Sequence, residues 1–147
     1  MKRYSILPVT LYRFQSFKLP KLREKSLQKK LGKFSFDFVL GTNGLYNPAR
    51  GDKYPGPNGL SLRPIGANLA ELLRTTYPTT IIYELPKDLP VPASLVMIHE
   101  HTDHYSLQTK ESIEPEQFCL LVMDFFEKQQ KISISQMKSK VEQHFAS

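Results

Sequence analysis

Six consecutive residues, from His99 to His104, carry groups that could bind a metal ion. They read HEHTDH, an H-x-H-x-D-H pattern that zinc hydrolases use. Imidazole and carboxylate groups at this spacing around a turn can bind one or two zinc ions and activate a water molecule. Such hydrolases take further ligands from well downstream, and here the only later histidine is His144. A small metallohydrolase is therefore the third of our three functional hypotheses, and we expect no metal site.

Other common catalytic motifs are missing from the sequence. Serines are plentiful, but none lies in a G-x-S-x-G nucleophile elbow. The chain has neither a P-loop nor a G-x-G-x-x-G pattern, which excludes these two phosphate-binding loops. The single cysteine, Cys119, excludes an internal disulfide and a cysteine metal cluster, and its apolar neighbours predict a buried thiol.

The positive charge of the chain is concentrated near its N-terminus. The formal net charge is +6, yet residues 1–33 hold ten basic side chains and one acidic one, Glu24, so the rest of the chain is net negative. This basic quarter favours contact with nucleic acid, an acidic protein or a phosphate-bearing ligand, and it is equally compatible with a solvated basic helix. A basic nucleic-acid- or protein-binding module without catalysis is therefore the second hypothesis.

Length and hydropathy predict a single globular domain over residues 1–147. No apolar run is long enough to span a bilayer. Pro8 and Arg13 interrupt the apolar part of the N-terminal segment, which therefore does not fit a secretory signal. We expect a protein that acts in the cytoplasm and has no membrane partner.

Residues 41–66 form a long stretch that is rich in turn-forming residues. They hold six of the seven glycines and four of the eleven prolines, with Tyr46 and Tyr54 among small polar side chains. Long ordered loops in compact domains are usually functional. We expect this loop to form one wall of a nucleotide-sized pocket. The alternatives are a disordered tether between two small lobes and, for the two tyrosines, packing that merely pins the loop.

Arg13 lies in a predicted strand over residues 9–14, which is rich in β-branched and aromatic side chains. Strand alternation puts Arg13 on the same face as Leu11. An arginine in an apolar strand is costly to bury unless an anion meets it. Arg13 is therefore either an edge residue that reaches water or a cation that faces a ligand.

The remaining patterns predict an α+β domain with a split antiparallel sheet. Asn68 is expected to cap a helix, so Ser61 lies at a transition into that helix and its hydroxyl could instead serve as a cap. His104 begins a strand, where a histidine satisfied within the sheet is the alternative to a functional one. The further elements are strands over 35–40, 79–85, 95–100 and 104–108, and flanking helices over 20–31, 68–76 and 114–130, followed by a possible C-terminal helix.

Five separated strings occur together in an order and spacing that resemble one family. They are TLYR at 10–13, GLYNP at 44–48, GLSLRP at 59–64, LPVP at 89–92 and HYSL at 104–107. Over residues 9–126 the chain resembles the small toxin effectors of Pseudomonas type VI secretion and their fungal relatives. The resemblance implies an ADP-ribosyltransferase-like fold and dependence on NAD.

The resemblance also implies roles for individual residues. It implies that Arg13 holds NAD from the first core strand, that Ser61 is the family's serine, and that His104 belongs to its late His-Tyr strand. These three form the predicted catalytic set. The predicted NAD-binding set is Arg13, Tyr46, Ser61, Arg63 and Tyr105.

Two features of the sequence differ from the pattern of related ADP-ribosyltransferases. Leu60 replaces the threonine that precedes the serine in the toxin, which removes one hydroxyl from the site. The E-x-E glutamate that most ADP-ribosyltransferases carry on a late strand is also missing, as it is in the toxin family. The group that stabilises positive charge on the ribose when nicotinamide leaves is therefore not identified by the sequence.

The resemblance places an NAD-dependent cytotoxin first among the three hypotheses. We expect an ADP-ribosyltransferase or NAD glycohydrolase that acts inside a target cell, where it slows growth. Its expected partners are NAD, an unidentified macromolecular target and an immunity protein. Delivery by a secretion system is expected, and nucleic acid stays an open possibility as the target.

Overall fold

The computed structural model describes residues 1–16, 23–32 and 37–146. The strands in these ranges are β1 (Lys2–Tyr4), β2 (Leu11–Gln15), β3 (Leu60–Leu62), β4 (Ile81–Leu85), β5 (Leu95–His101), β6 (His104–Thr109) and β7 (Gln130–Ile132). The helices are α1 (Lys25–Lys30), α2 (Ala67–Arg74), α3 (Pro115–Glu127) and α4 (Ile134–Ala146). Across this described part of the chain, no helix combines the length and apolar character that crossing a bilayer requires.

The strands form two antiparallel sheets. One has the order β1-β5-β6-β3 and the other the order β2-β4-β7. The sheets meet where β2 passes the end of β3: the N–H of Tyr12 donates to the carbonyl of Arg63 at 2.8 Å, and the N–H of Arg63 donates to the carbonyl of Tyr12 at 3.1 Å. The predicted α+β class with a split antiparallel sheet is confirmed.

Strand β2 carries apolar side chains on both faces because its sheet is covered on both sides. Leu11 packs into one hydrophobic cluster, which includes residues of α3. Tyr12 packs into a second cluster with Leu69 of α2 and Met137 of α4. Since side chains alternate along a strand, Arg13 projects on the Leu11 side, between the sheet and the first cluster.

The residues between Gly41 and Gly59 form an ordered loop that the side chain of Gln108 holds in place. Gln108 is fully buried in β6. Its Oε1 accepts a hydrogen bond from the N–H of Ala49 at 2.8 Å and lies 3.5 Å from Nδ2 of Asn58. Asn58 also donates to the carbonyl of Asn47 at 3.0 Å. Both ends of segment 49–58 are therefore fixed to the sheet, and the loop is not a tether between two lobes.

Gly59 brings the loop into strand β3 at a very close approach to β6. A Cβ at this position would lie 2.8 Å from the carbonyl oxygen of Leu107 and 2.9 Å from Oγ of Ser106. No real Cβ tolerates such distances to backbone, so the pairing of β3 with β6 depends on glycine here. Through this pairing, Gly59 sets the position of Ser61.

Three local predictions need correction or lie partly outside the described residues. Helix α1 is present only from Lys25 to Lys30, and residues 17–22 of the predicted 20–31 region are not described. Residues 33–36 of the 35–40 strand are likewise not described, and the described Phe38 forms only an isolated bridge with Glu24. The N-cap of α2 is Gly66 and not Asn68, whose side chain is bonded elsewhere.

Candidate active site

Ser61 and His104 are joined by a hydrogen bond between their side chains. In the antiparallel pairing of β3 with β6, Ser61 lies opposite Ser106, so it projects on the same face as His104. Nε2 of His104 lies 2.9 Å from Oγ of Ser61. Ser61 is half-buried and His104 is buried. A hydroxyl bonded to an imidazole is an arrangement that permits proton transfer.

Arg13 reaches the same place from the second sheet. Its Nη1 donates to the carbonyl oxygen of Ser61 at 3.1 Å, and its Nε lies 3.5 Å from Oε1 of Gln15. Both partners are neutral, and the guanidinium is half-buried. Arg13 therefore spans the junction of the two sheets and is not an edge residue that reaches freely into water.

The charge of Arg13 is only partly compensated by its surroundings. Burial lowers the pKa of Arg13 to about 10, Asp37 opposes this shift, and Arg23 adds to it. The buried carboxylate of Asp37 is already bonded to Arg23, with Nε–Oδ2 and Nη2–Oδ1 distances of 3.1 Å. At neutral pH Arg13 is a cation without an ion-pair partner among the described residues. Such a group is suited to binding an anion.

A buried carboxylate, Glu100, stands behind His104. Oε1 of Glu100 lies 3.3 Å from Nδ1 of His104, and the glutamate side chain has no exposed surface. The contact is not aligned for a good hydrogen bond, and in the described ranges neither carboxylate oxygen nor Nδ1 has another hydrogen-bond partner. Burying a carboxylate in this way is costly. His104 is therefore not a fully satisfied strand histidine, which was the alternative for it.

Sequence reasoning missed Glu100 because a bulge controls its direction. His99 pairs with Tyr105 and His101 pairs with His104, so Glu100 is an extra residue on β5. A β-bulge leaves its extra residue unpaired and re-aims its side chain. The one available signal was alternation, which places Glu100 on the same face as the buried Ile98.

Tyr46 does not lie where a nicotinamide-stacking residue must lie. It is fully buried, and its ring stacks on Phe118 with centroids 4.5 Å apart. Its hydroxyl donates to the carbonyl of Asn58 at 2.8 Å. The prediction that Tyr46 contacts NAD is therefore not supported by its position, and the alternative of loop-pinning packing fits it.

Tyr105 also faces away from the site. It follows His104 directly on β6, so the two side chains project to opposite faces of the sheet. Its buried ring stacks on His99 with centroids 4.3 Å apart. Because Ser61 and His104 share the other face, we remove Tyr105 from the set expected to contact NAD.

Arg63 lies beside the site but is engaged in an ion pair. Its Nη1 donates to Oδ1 of Asp103 at 2.9 Å, and Asn68 donates to both oxygens of the same carboxylate at 3.0 Å. These bonds tie the end of β3 to the β5–β6 turn and to α2. The side chains of Arg63 and Asp103 remain 26% and 20% exposed, so an anionic ligand can reach this pair.

Tyr54 is the accessible aromatic side chain next to these groups. It is 39% exposed, and its ring centroid lies 4.7 Å from that of His101. Burial raises the pKa of Tyr54, the nearby Glu100 raises it further, and Arg63 lowers it. The tyrosine hydroxyl therefore lies in the electric fields of both groups, at the rim of the site.

The HEHTDH segment does not assemble as a metal centre. The His99 ring stacks on one face of the sheet, whereas Glu100 and His104 meet on the other. Within the described residues, no group of three or more histidine, cysteine, aspartate or glutamate side chains could hold a metal ion. Ser61 is not a helix cap either, since it lies within β3 and Gly66 caps α2.

Comparison with known families identifies the reaction class. The family model described as Tse2 ADP-ribosyltransferase toxin matches residues 9–133, which is most of the chain. No curated protein and no solved structure gives a significant match. The family match gives no support to a non-catalytic binding module or to a metallohydrolase, and it confirms the resemblance drawn from the five sequence strings. The chain therefore belongs to the Tse2 ADP-ribosyltransferase toxin family.

Proposed function

We propose that this toxin uses NAD as its ADP-ribose donor and binds it at Arg13, Ser61 and His104. The observation that carries the proposal is that two contacts link these residues across two sheets: Arg13 to the Ser61 carbonyl, and His104 to the Ser61 hydroxyl. Family membership supplies the reaction class. The three side chains supply a cation, a hydroxyl and an imidazole, which suit the pyrophosphate and ribose groups of NAD.

Arg13 is the proposed pyrophosphate anchor. Among the described residues, its half-buried guanidinium donates only to neutral groups. A phosphate would therefore form a partly desolvated charge pair with it, and such pairs are among the stronger polar contacts in proteins. Arg63 is a second anchor, because a phosphate can compete with Asp103 for its accessible guanidinium.

Tyr54 is the proposed partner of the nicotinamide ring, because Tyr46 is fully buried and Tyr105 projects on the other face of the sheet. An aromatic ring at the rim of the site offers a stacking surface to a positively charged heterocycle. The neighbouring His101 limits the orientations of the Tyr54 ring through its edge contact. Tyr54→Phe is expected to keep NAD affinity, whereas Tyr54→Ala is expected to lose it.

Ser61 and His104 are proposed to lie at the ribose carbon that loses nicotinamide. The ADP-ribose unit is then passed to a macromolecule or, in a glycohydrolase reaction, to water. Either outcome is toxic, because the first modifies a cell component and the second depletes NAD. We propose that this occurs in the cytoplasm of a target cell, after delivery by a secretion system, and that an immunity protein protects the producing cell.

The proposal is tested by expressing the chain from an inducible promoter while growth and intracellular NAD are followed. We expect growth to slow, and we expect Ser61→Ala and His104→Ala to relieve the inhibition at equal protein levels. Ser94→Ala is the matched control, since Ser94 is exposed and precedes β5 at the end opposite Glu100. If both site variants fold and remain fully toxic, the assignment of the site is wrong.

A further inference from the structure

Glu100, His104 and Ser61 form a continuous chain of contacts across three neighbouring strands. The order β5-β6-β3 places His104 between the other two. Its Nδ1 lies 3.3 Å from Oε1 of Glu100, and its Nε2 lies 2.9 Å from Oγ of Ser61. A nucleophile that contacts a base, with that base oriented by a third group, is the general arrangement of an activated hydroxyl.

The position of Glu100 is difficult to explain by stability alone. Its carboxylate is buried, and among the described residues it has no hydrogen-bond partner. It lies at the bulge in β5, where its Oε1 is 3.3 Å from Nδ1 of His104. An imidazole that gains a proton during a reaction would give this carboxylate the charge partner that it lacks in the resting protein.

We propose that the relay from Glu100 through His104 activates Ser61 as a nucleophile and that Ser61 is the first acceptor of ADP-ribose. This inference rests on the proposed use of NAD. The bond that forms joins Oγ of Ser61 to the anomeric carbon of the nicotinamide ribose. The bond that breaks joins that carbon to the nicotinamide nitrogen, which takes the electron pair and becomes neutral. The hydroxyl proton passes to Nε2 of His104.

A second displacement completes the reaction. His104 first releases to solvent the proton that it gained. Its neutral Nε2 then accepts the proton of the acceptor, which is an alcohol or water. The acceptor oxygen then bonds to the anomeric carbon, and Oγ of Ser61 leaves and recovers a proton through His104. Two displacements at one carbon return the original β configuration, as in retaining glycosidases.

Glu100 is a positioning residue in this scheme and does not touch the substrate. Its side chain has no exposed surface, so in this conformation it cannot reach the ribose as the missing E-x-E glutamate would. In place of that glutamate, bond formation by Oγ of Ser61 stabilises the positive charge that develops on the ribose. Glu100 holds the tautomer with the proton on Nδ1 and stabilises the imidazolium of His104.

The proposal is tested by rapid-quench reaction of the purified chain with NAD labelled in its adenylate phosphate, with nicotinamide release measured in parallel. We expect label on Ser61, mapped by mass spectrometry, to appear with the first equivalent of nicotinamide. Ser61→Ala should remove the label. Glu100→Gln should slow labelling on the order of 100-fold without raising KM or lowering Tm, and the exposed Glu116→Gln should match the wild type.

Methanolysis gives an independent readout that does not require a trapped intermediate. With methanol as the acceptor, double displacement yields the β-methyl glycoside of ADP-ribose, which NMR distinguishes from the α form. Nicotinamide release with the α product and no label on Ser61 overturns the relay and leaves the use of NAD intact. Absence of nicotinamide release from the wild type contradicts the use of NAD itself, and with it the relay.

Discussion

Replacing Arg13 with methionine should separate activity from stability. Methionine keeps the length of the side chain but removes its charge and its donors. Arg13 is half-buried, and its pKa is lowered to about 10 mainly by burial. A partly buried charge that lacks an ion-pair partner among the described residues contributes little to stability. Binding of a ligand is therefore the better explanation for this arginine. We therefore expect a folded and inactive variant.

The change in the free energy of unfolding caused by Arg13→Met is the sum of opposing contributions. Lowering the pKa from 12.5 to about 10 corresponds to a cost of about 3 kcal/mol for burying the charge, reduced to about 1–2 kcal/mol by the solvent that a half-buried group still contacts. Methionine relieves that cost and keeps the apolar contacts. It loses the bond to the Ser61 carbonyl, which is worth about 1 kcal/mol. The free energy of unfolding should therefore change by less than about 1 kcal/mol.

The assay pairs urea unfolding with nicotinamide release from NAD, in the wild type, Arg13→Met and Arg74→Met. Arg74 is a suitable control because it is an exposed arginine on α2, and among the described residues its one ion pair is with the equally exposed Glu71. We expect Arg13→Met to reduce nicotinamide release at least 100-fold, a loss of about 3 kcal/mol of transition-state stabilisation. A variant that unfolds more than about 3 kcal/mol more easily would show that the guanidinium is a structural tie.

Three further substitutions test the elements that position the site. Gly59→Ala should lower the free energy of unfolding by about 1–3 kcal/mol and reduce activity, because the new Cβ would collide with β6. Gly51→Ala should do neither, because its Cβ would make only an ordinary contact, 4.0 Å from the backbone nitrogen of Lys53. Equal urea midpoints for the two variants would contradict this account of β3. Asp103→Ala should lower the free energy of unfolding by about 1–2 kcal/mol, because Arg63 and Asn68 lose their hydrogen bonds to this carboxylate. An unchanged urea midpoint would show that these bonds contribute nothing to stability. Thr102→Gly should raise Tm, because Thr102 has a φ of 42°, a backbone conformation that is strained for threonine and favours glycine. A lower Tm would contradict this strain at the turn.

Several elements follow from sequence because local chemistry decides them. The bend at Thr102 and Asp103 between two apolar strands, and the start of α3 at Pro115, depend on residues that are adjacent in the chain. The sequence also predicts that Arg13 shares a face of β2 with Leu11, because side chains alternate along a strand with a fixed period of two.

The parts that sequence did not predict depend on contacts between distant residues. Tyr46, an aromatic residue in a polar loop, is buried among distant residues, including Phe118 of α3, on which its ring stacks. Asn68 is not a cap because Asp103 competes for its amide. Glu100 meets His104 at a bulge in β5, and no local pattern in the sequence distinguishes a bulged strand from a regular one.

The fold also explains how a misleading motif arises. In its sequence alone, the histidine-rich hairpin at residues 99–104 resembles a zinc-binding motif. Pairing across the turn instead gives His99 an aromatic partner on one face and gives His104 a carboxylate and a hydroxyl on the other. The same residues thus make contacts within the sheet and with Ser61 in place of metal coordination.

The central claim is that this chain cleaves NAD at a site built from Arg13, Ser61 and His104. The most direct measurement is nicotinamide release from NAD by the purified protein, compared with His104→Ala of unchanged Tm. The account predicts steady release by the wild type and a loss of at least two orders of magnitude in the variant. Equal release by the folded variant, or none by the wild type, would contradict it.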